Sequence, residues 1–235
     1  MKNEKLIVAL DVPTLEAAEK LVKVLSPVVS TFKVGKELFT AVGPSAIQMV
    51  HAHNSRVFLD FKFHDIPNTV ASACKAAVKQ GVFMLNVHAL GGQSMMIQAV
   101  QSVHKTAEKL QVKPPYLIGV TVLTSMKEND LKEIGFHGKL EKQVIRLASL
   151  AKNAGLDGVV ASAHEIEPIR KKLGQDYLIV TPGVRPVWAS HGDQKRVMTP
   201  KEAIEKGANF IVVGRPITQD PNPLEAAKKV LREIE

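Results

Sequence analysis

The sequence predicts an α/β protein, a single-domain (β/α)8 barrel of the TIM type spanning residues 1–235. Three observations predict it. Eight short runs rich in Val, Ile and Leu recur along the chain, and amphipathic stretches with helical spacing lie between them. No Pro/Ser-rich linker, low-complexity tract or abrupt change of composition divides the 235 residues. Eight βα repeats in a chain of this length are most simply a closed barrel. An open doubly wound sheet shows the same alternation and stays open as the alternative.

In chain order the apolar runs are LIVAL from Leu6, FKVG from Phe32, RVFLDFK from Arg56 and VFMLNVH from Val82, followed by YLIGVTVL from Tyr116, GVVAS from Gly158, YLIVTPG from Tyr177 and NFIVVG from Asn209. Each is brief and apolar at consecutive positions, as a strand buried on both faces requires. The segments TLEAAEKLVKVL, TVASACKAAVKQ, LEKQVIRLASLAKNAG and PLEAAKKVLREI carry helical spacing instead. Thr14 followed by acidic residues, Pro200 and Pro223 signal helix starts, and Gly81 and Gly155 signal helix ends.

With 45% hydrophobic and 23% charged residues, the composition is that of an ordinary globular protein and excludes disordered and fibrous classes. Cys74 is the only cysteine, so neither an internal disulfide nor a thiolate zinc cluster can form, and a reducing compartment fits. The N-terminus MKNEKLIVALDVP is apolar for too few residues to be a signal segment. No run approaches a membrane span, and the expectation is a cytoplasmic protein. A net charge of +8 favours an anionic partner without naming it. Lys and Arg are scattered along helices and aromatics are only 5%, which argues against nucleic acid.

Barrels of this type gather their chemistry at the C-terminal strand ends. Those ends carry Asp11, Lys33, Asp60 with Lys62, His88, Thr121 to Thr124, Pro182 with Gly183, and Gly214 with Arg215. Charges closing a buried strand are costly unless paired or used. In RVFLDFKFHDIPNT, Asp60 and Lys62 are two apart and point to one face of a strand. Asp65 follows in a turn that Pro67 keeps from being helical. With Lys33 the sequence suggests an alternating row of Lys, Asp, Lys and Asp. Carboxylates on either side favour the charged form of a lysine, which suits a proton donor rather than a nucleophile. A purely structural ion pair at the rim is the plainer alternative. Gly214 permits close backbone approach, and Arg215 can grip a phosphate in two-pronged fashion. The polar segment TPGVRPVWASHGDQKR is long enough for a lid over residues 184–196, with Arg185 and Gln194 as anion-facing donors; a solvated connection is its alternative.

These residues resemble the orotidine 5′-phosphate decarboxylase family. DFKFHDIPNT is similar to its Asp-x-Lys-x-x-Asp signature running on into Ile-Pro-Asn-Thr, and ALDVP, FKVG, TVLTSM, TPGVRP and VVGRPI follow in register. The resemblance implies a cofactor-independent homodimer that converts orotidine 5′-monophosphate to uridine 5′-monophosphate, the last step of de novo UMP synthesis. It implies that Lys62 protonates carbon 6 as carbon dioxide leaves, and that Asp60 faces the substrate carboxylate and holds Lys62. Asp65, Ile66 and Thr69 would cross into the partner subunit's site. Asp11 and Lys33 would hold the ribose hydroxyls, Lys33 extending the catalytic row. Thr124 would meet the pyrimidine edge and Pro182 its face. Arg185, Gln194, Gly214 and Arg215 would grip the phosphate and the closing loop.

The magnesium-dependent sugar-phosphate decarboxylases and synthases of the same superfamily share the Asp-x-Lys-x-x-Asp core, but here IPNT and TVLTSM favour a nucleotide. The remaining signals have plain readings. His51 and His53 do not share a helix face. His88 reads as a hydrogen-bonded structural histidine and His64 as exposed. Cys74 and Met95, Met96, Met126 and Met198 read as packing. Gly91 and Gly92 precede a helix without any phosphate-loop pattern, and Trp188 packs against the lid or stands exposed.

Overall fold

The computed structural model describes residues 3–189 and 198–235. Its eight strands are β1 (Asn3–Ala9), β2 (Val29–Gly35), β3 (Arg56–Phe63), β4 (Met84–His88), β5 (Tyr116–Val120), β6 (Gly158–Val160), β7 (Leu178–Pro182) and β8 (Phe210–Val213). Each pairs in parallel with the next, and β8 returns to β1, closing the barrel. The open-sheet alternative is thereby excluded.

The apolar runs divide their side chains by the two-residue period of a strand. In β1, Ile7 and Ala9 point into the barrel, where they meet Phe58, Met84, Ile118 and Val212. Leu6 and Val8 point outward into the larger layer between strands and helices. Both layers exclude water, so each strand is apolar on two faces. At the N-terminal end of the barrel the Phe83 ring packs edge-on against Tyr116 and Phe210, and the Arg56 guanidinium lies 4.1 Å above it. This plug leaves the C-terminal mouth as the open end.

Local signals set the helix bounds. The Thr14 side chain accepts from the Ala17 N–H to start the helix Leu15–Leu25. Thr199 and Glu202 form a reciprocal capping box for Pro200–Glu205. Gly81 and Gly155 adopt positive φ, +70° and +89°, just beyond the helices Pro67–Lys79 and Leu140–Asn153. The alternation is less regular than eight simple units. Two helices, Lys36–Val42 and Ser45–Ala52, follow β2, and the short helices Glu128–Glu133 and Arg215–Thr218 are added after β5 and β8. No helix among the described residues is long and apolar enough to cross a membrane.

Candidate active site

The charged side chains converge at the C-terminal mouth. Lys33 comes from β2, and Asp11 lies two residues beyond β1. The Lys33 Nζ donates to Asp11 Oδ1 at 2.8 Å and stands 3.5 Å from Asp60 Oδ2. Lys62 Nζ donates to Asp60 Oδ1 at 2.6 Å. The row within one chain therefore runs Asp11, Lys33, Asp60, Lys62. It begins one residue earlier than the sequence suggests and does not extend to Asp65. That carboxylate is exposed and accepts from the Ile66 N–H at 2.6 Å, in the turn that leads into Pro67–Lys79. Ile66, 67% exposed, and Thr69 face outward beside it.

Two features aim this row. Asp60 and Lys62 face the mouth while Phe61 and Phe63 turn outward, Phe61 against Phe39 with centroids 4.6 Å apart. Simple alternation does not complete the geometry, because the β3–β4 register shifts between Leu59 and Phe63 and Lys62 has φ +54°. A side-chain-bearing residue in the left-handed region inside a strand is strained. Asn86 of β4 spans the irregularity: its amide donates to Asp60 Oδ1 at 2.7 Å and its carbonyl accepts from the Lys62 N–H at 2.7 Å. Sequence reasoning passed over Asn86; the available signal was a lone amide inside the buried run MLNVH. Space is also reserved at Gly35, where a Cβ would lie 2.9 Å from Lys33 Nζ and 3.1 Å from Asp11 Oδ1.

Burial by itself would raise the Asp60 carboxyl. The charges of Lys33 and Lys62, with hydrogen bonds from Lys62 and Asn86, override that and hold it below its ordinary value. Asp60 is thus a largely buried anion held between two cations.

The mouth has two connected halves. One, of about 210 Å³, is walled by Phe58, Val120, Leu123, Thr124 and Pro182, with Lys62 and Asp60 at its edge. The other, of about 530 Å³, is lined by Asp11, Lys33, Gly183, Arg185, Gly214 and Arg215. Lys33, Asp60 and Pro182 belong to both. An apolar slot opening onto a bay of mixed charge, where Arg185 and Arg215 join the carboxylates of Asp11 and Glu37, suits a flat ring carrying a polar, anionic tail. Arg185 is buried, and its backbone N–H bonds to the Met198 carbonyl at 3.0 Å, tying together the two described ends of the β7 loop. Gln194 lies outside the described residues, as does most of the expected lid. Thr121 is turned away and donates to the Val160 carbonyl at 3.0 Å. Cys74 is buried, which pushes its thiol up to about 12 and makes it packing rather than chemistry.

The sequence profile of the orotidine 5′-phosphate decarboxylase / HUMPS family matches residues 4–230. The chain belongs to this family. Orotidine 5′-phosphate decarboxylase of Moorella thermoacetica is 54% identical over 234 residues, covering 99% of this chain and 93% of that one. Its namesake from Syntrophotalea carbinolica is 52% identical over 232 residues, covering 99% and 95%. Among solved structures, orotidine 5′-phosphate decarboxylase from Lactobacillus acidophilus superposes with TM-score 0.87 at 37% identity, covering 99% of this chain and all of that one. These orotidine 5′-phosphate decarboxylase relatives span the whole fold, from β1 to the final helix.

Proposed function

We infer that this member of the family is a carboxy-lyase that converts orotidine 5′-monophosphate to uridine 5′-monophosphate in pyrimidine biosynthesis. The observation that carries the reading is the row Asp11, Lys33, Asp60, Lys62 at the junction of an apolar slot and a polar bay that holds Arg185 and Arg215. The full-length relatives named for this activity support it.

The phosphate sits in the bay, held by Arg215, the Gly214 amide and Arg185. Asp11 and Lys33 take the ribose hydroxyls. The pyrimidine lies against Pro182 with its edge toward Thr124. This pose brings the substrate carboxylate against Asp60, and like charges at close range destabilise the bound ground state. The bond from carbon 6 to the carboxyl carbon breaks, carbon dioxide departs, and the electron pair remains on carbon 6. The Lys62 ammonium stabilises that developing negative charge and delivers a proton to it. Lys62 then regains a proton from solvent. No enolate is available to spread the charge, so a prepositioned cation is the necessary device.

The site is shared between two copies of the chain. Asp65, Ile66 and Thr69 stand exposed beside the mouth of their own barrel, and a partner copy would use them in its site. Mixing inactive Lys62→Ala and Asp65→Ala chains should regenerate activity under subunit exchange; no recovery would argue for self-contained subunits.

The deciding experiment follows orotidine monophosphate absorbance with purified protein in chelator. Turnover in chelator, abolished in Lys62→Ala while phosphate binding persists, is expected. A near-wild-type rate in Lys62→Ala overturns the mechanism. Activity that requires magnesium, on a sugar phosphate, would instead place the chain with the magnesium-dependent siblings.

A further inference from the structure

His88 ends β4, and His64 stands in the turn between β3 and the helix Pro67–Lys79. Their rings are stacked, 22° apart in plane and 5.6 Å between centroids. The pair is held from two sides. The Leu90 N–H donates to His88 Nδ1 at 3.3 Å, capping the short turn Ala89–Gly91 and leaving the ring proton on Nε2. On the other side Gly91 approaches so closely that a Cβ there would lie 3.2 Å from His64 Cδ2 and 2.5 Å from the Met95 side chain. His88 lines neither half of the mouth. Yet the ring it supports belongs to the residue preceding Asp65, two positions after Lys62.

We propose that His88 is a positioning residue: by stacking on His64 it fixes the turn that presents Asp65 to the partner's site. The proposal rests on the shared-site reading above. Burial pulls the His88 imidazole down to about 4, and the charges of His64, Lys62 and Lys36 act the same way. The ring is therefore neutral near pH 7, with Nδ1 available to accept from Leu90. The turn is exposed, with the Asp65 carboxylate accepting from the Ile66 N–H, and a small misplacement of a carboxylate is costly to a charged array.

Two substitutions separate the ring from its hydrogen bond. His88→Asn keeps an oxygen able to accept from Leu90 and removes the stack. His88→Phe keeps the stack and removes the acceptor. In the mixture of Lys62→Ala and Asp65→Ala chains, the Lys62→Ala chain supplies the Asp65 turn and its partner supplies Lys62. Placed in the Lys62→Ala chain, His88→Asn should lower recovered kcat by about tenfold or more, with a smaller change in KM. Placed in the Asp65→Ala chain, it should leave recovery within about twofold. His88→Phe in the Lys62→Ala chain should restore the rate. Loss from the Lys62-bearing chain, equal loss from both, or no loss from either overturns the proposal. If the mixture without any His88 change recovers nothing, the shared site itself is wrong. The homodimers then decide: kcat unchanged in His88→Asn, or lost equally in His88→Phe, overturns the positioning role as well.

Discussion

Lys62 holds its side chain over the site from a backbone conformation that opposes it. Its φ of +54° costs a residue with a Cβ about 1–2 kcal/mol, and glycine far less. Lys62→Ala and Lys62→Gly both remove the ammonium, so their difference isolates the backbone. The glycine variant should be the more stable by about 1 kcal/mol in urea midpoints, the reverse of the usual order within a strand. Asp60 makes a second prediction. Because Lys33, Lys62 and Asn86 more than offset burial, its folded value lies below the unfolded one. The unfolded chain binds the proton first as pH falls. Asp60 therefore contributes stability above the ordinary carboxylate value of about 4 and loses it as pH drops through the lowered folded value. The stability gap between the wild type and Asp60→Asn should be widest near neutrality and shrink in acid, measured by denaturant titration across pH. Asp60 and Lys62 were legible in the sequence because charged residues two apart interrupt an apolar run. The left-handed twist at Lys62 was not, since nothing in the residue types FKF marks a register shift. Asn86 was missed for a related reason: one amide in a buried strand reads the same whether it satisfies a carboxylate or only itself.

At the scale of elements, all eight strands were legible, because burial on two faces writes an uninterrupted apolar run. The helices Lys36–Val42, Glu128–Glu133 and Arg215–Thr218 were not. None exceeds about two turns, too short to display an amphipathic stripe. The segment after β7, expected to be a lid, was legible only as a length of polar chain, and most of it lies outside the described residues. Its described ends are joined: the Thr199–Glu202 capping box directly follows Met198, whose carbonyl takes the Arg185 N–H. Thr199→Ala removes the hydroxyl that caps Pro200–Glu205 and should cost about 1 kcal/mol of stability. It should also raise KM for the phosphorylated substrate, because the cap secures one end of the segment carrying Arg185. An unchanged KM would detach the cap from binding.

Across the whole molecule, the proposed pose would grip the substrate at one end and transform it at the other. Binding energy from the phosphate can close the loop and assemble the charged row. A nucleoside lacking the phosphate should then lose kcat as well as affinity, and equal turnover at saturation would count against that coupling. The net charge of +8 guided this poorly: only Lys33, Lys62, Arg185 and Arg215 of the cations are assigned to the nucleotide. Chain length was the better clue, since eight βα units leave little else from which to build a site.

The seam between β1 and β8 joins the two ends of the chain. Asp11 follows the first strand made and Arg215 the last, and they line the same bay. During synthesis Asp11 and Arg215, the proposed ribose and phosphate ligands, emerge far apart in time, and β1 has one edge unpaired until β8 is made. Nucleotide bound across the seam would tie the earliest and latest segments together, so amide hydrogen exchange in β1 and β8 should slow with uridine monophosphate more than exchange in β4 or β5. A chain cut short before β8 would lack both that strand and the Gly214 and Arg215 that follow it, so ligand binding would report whether the barrel had closed.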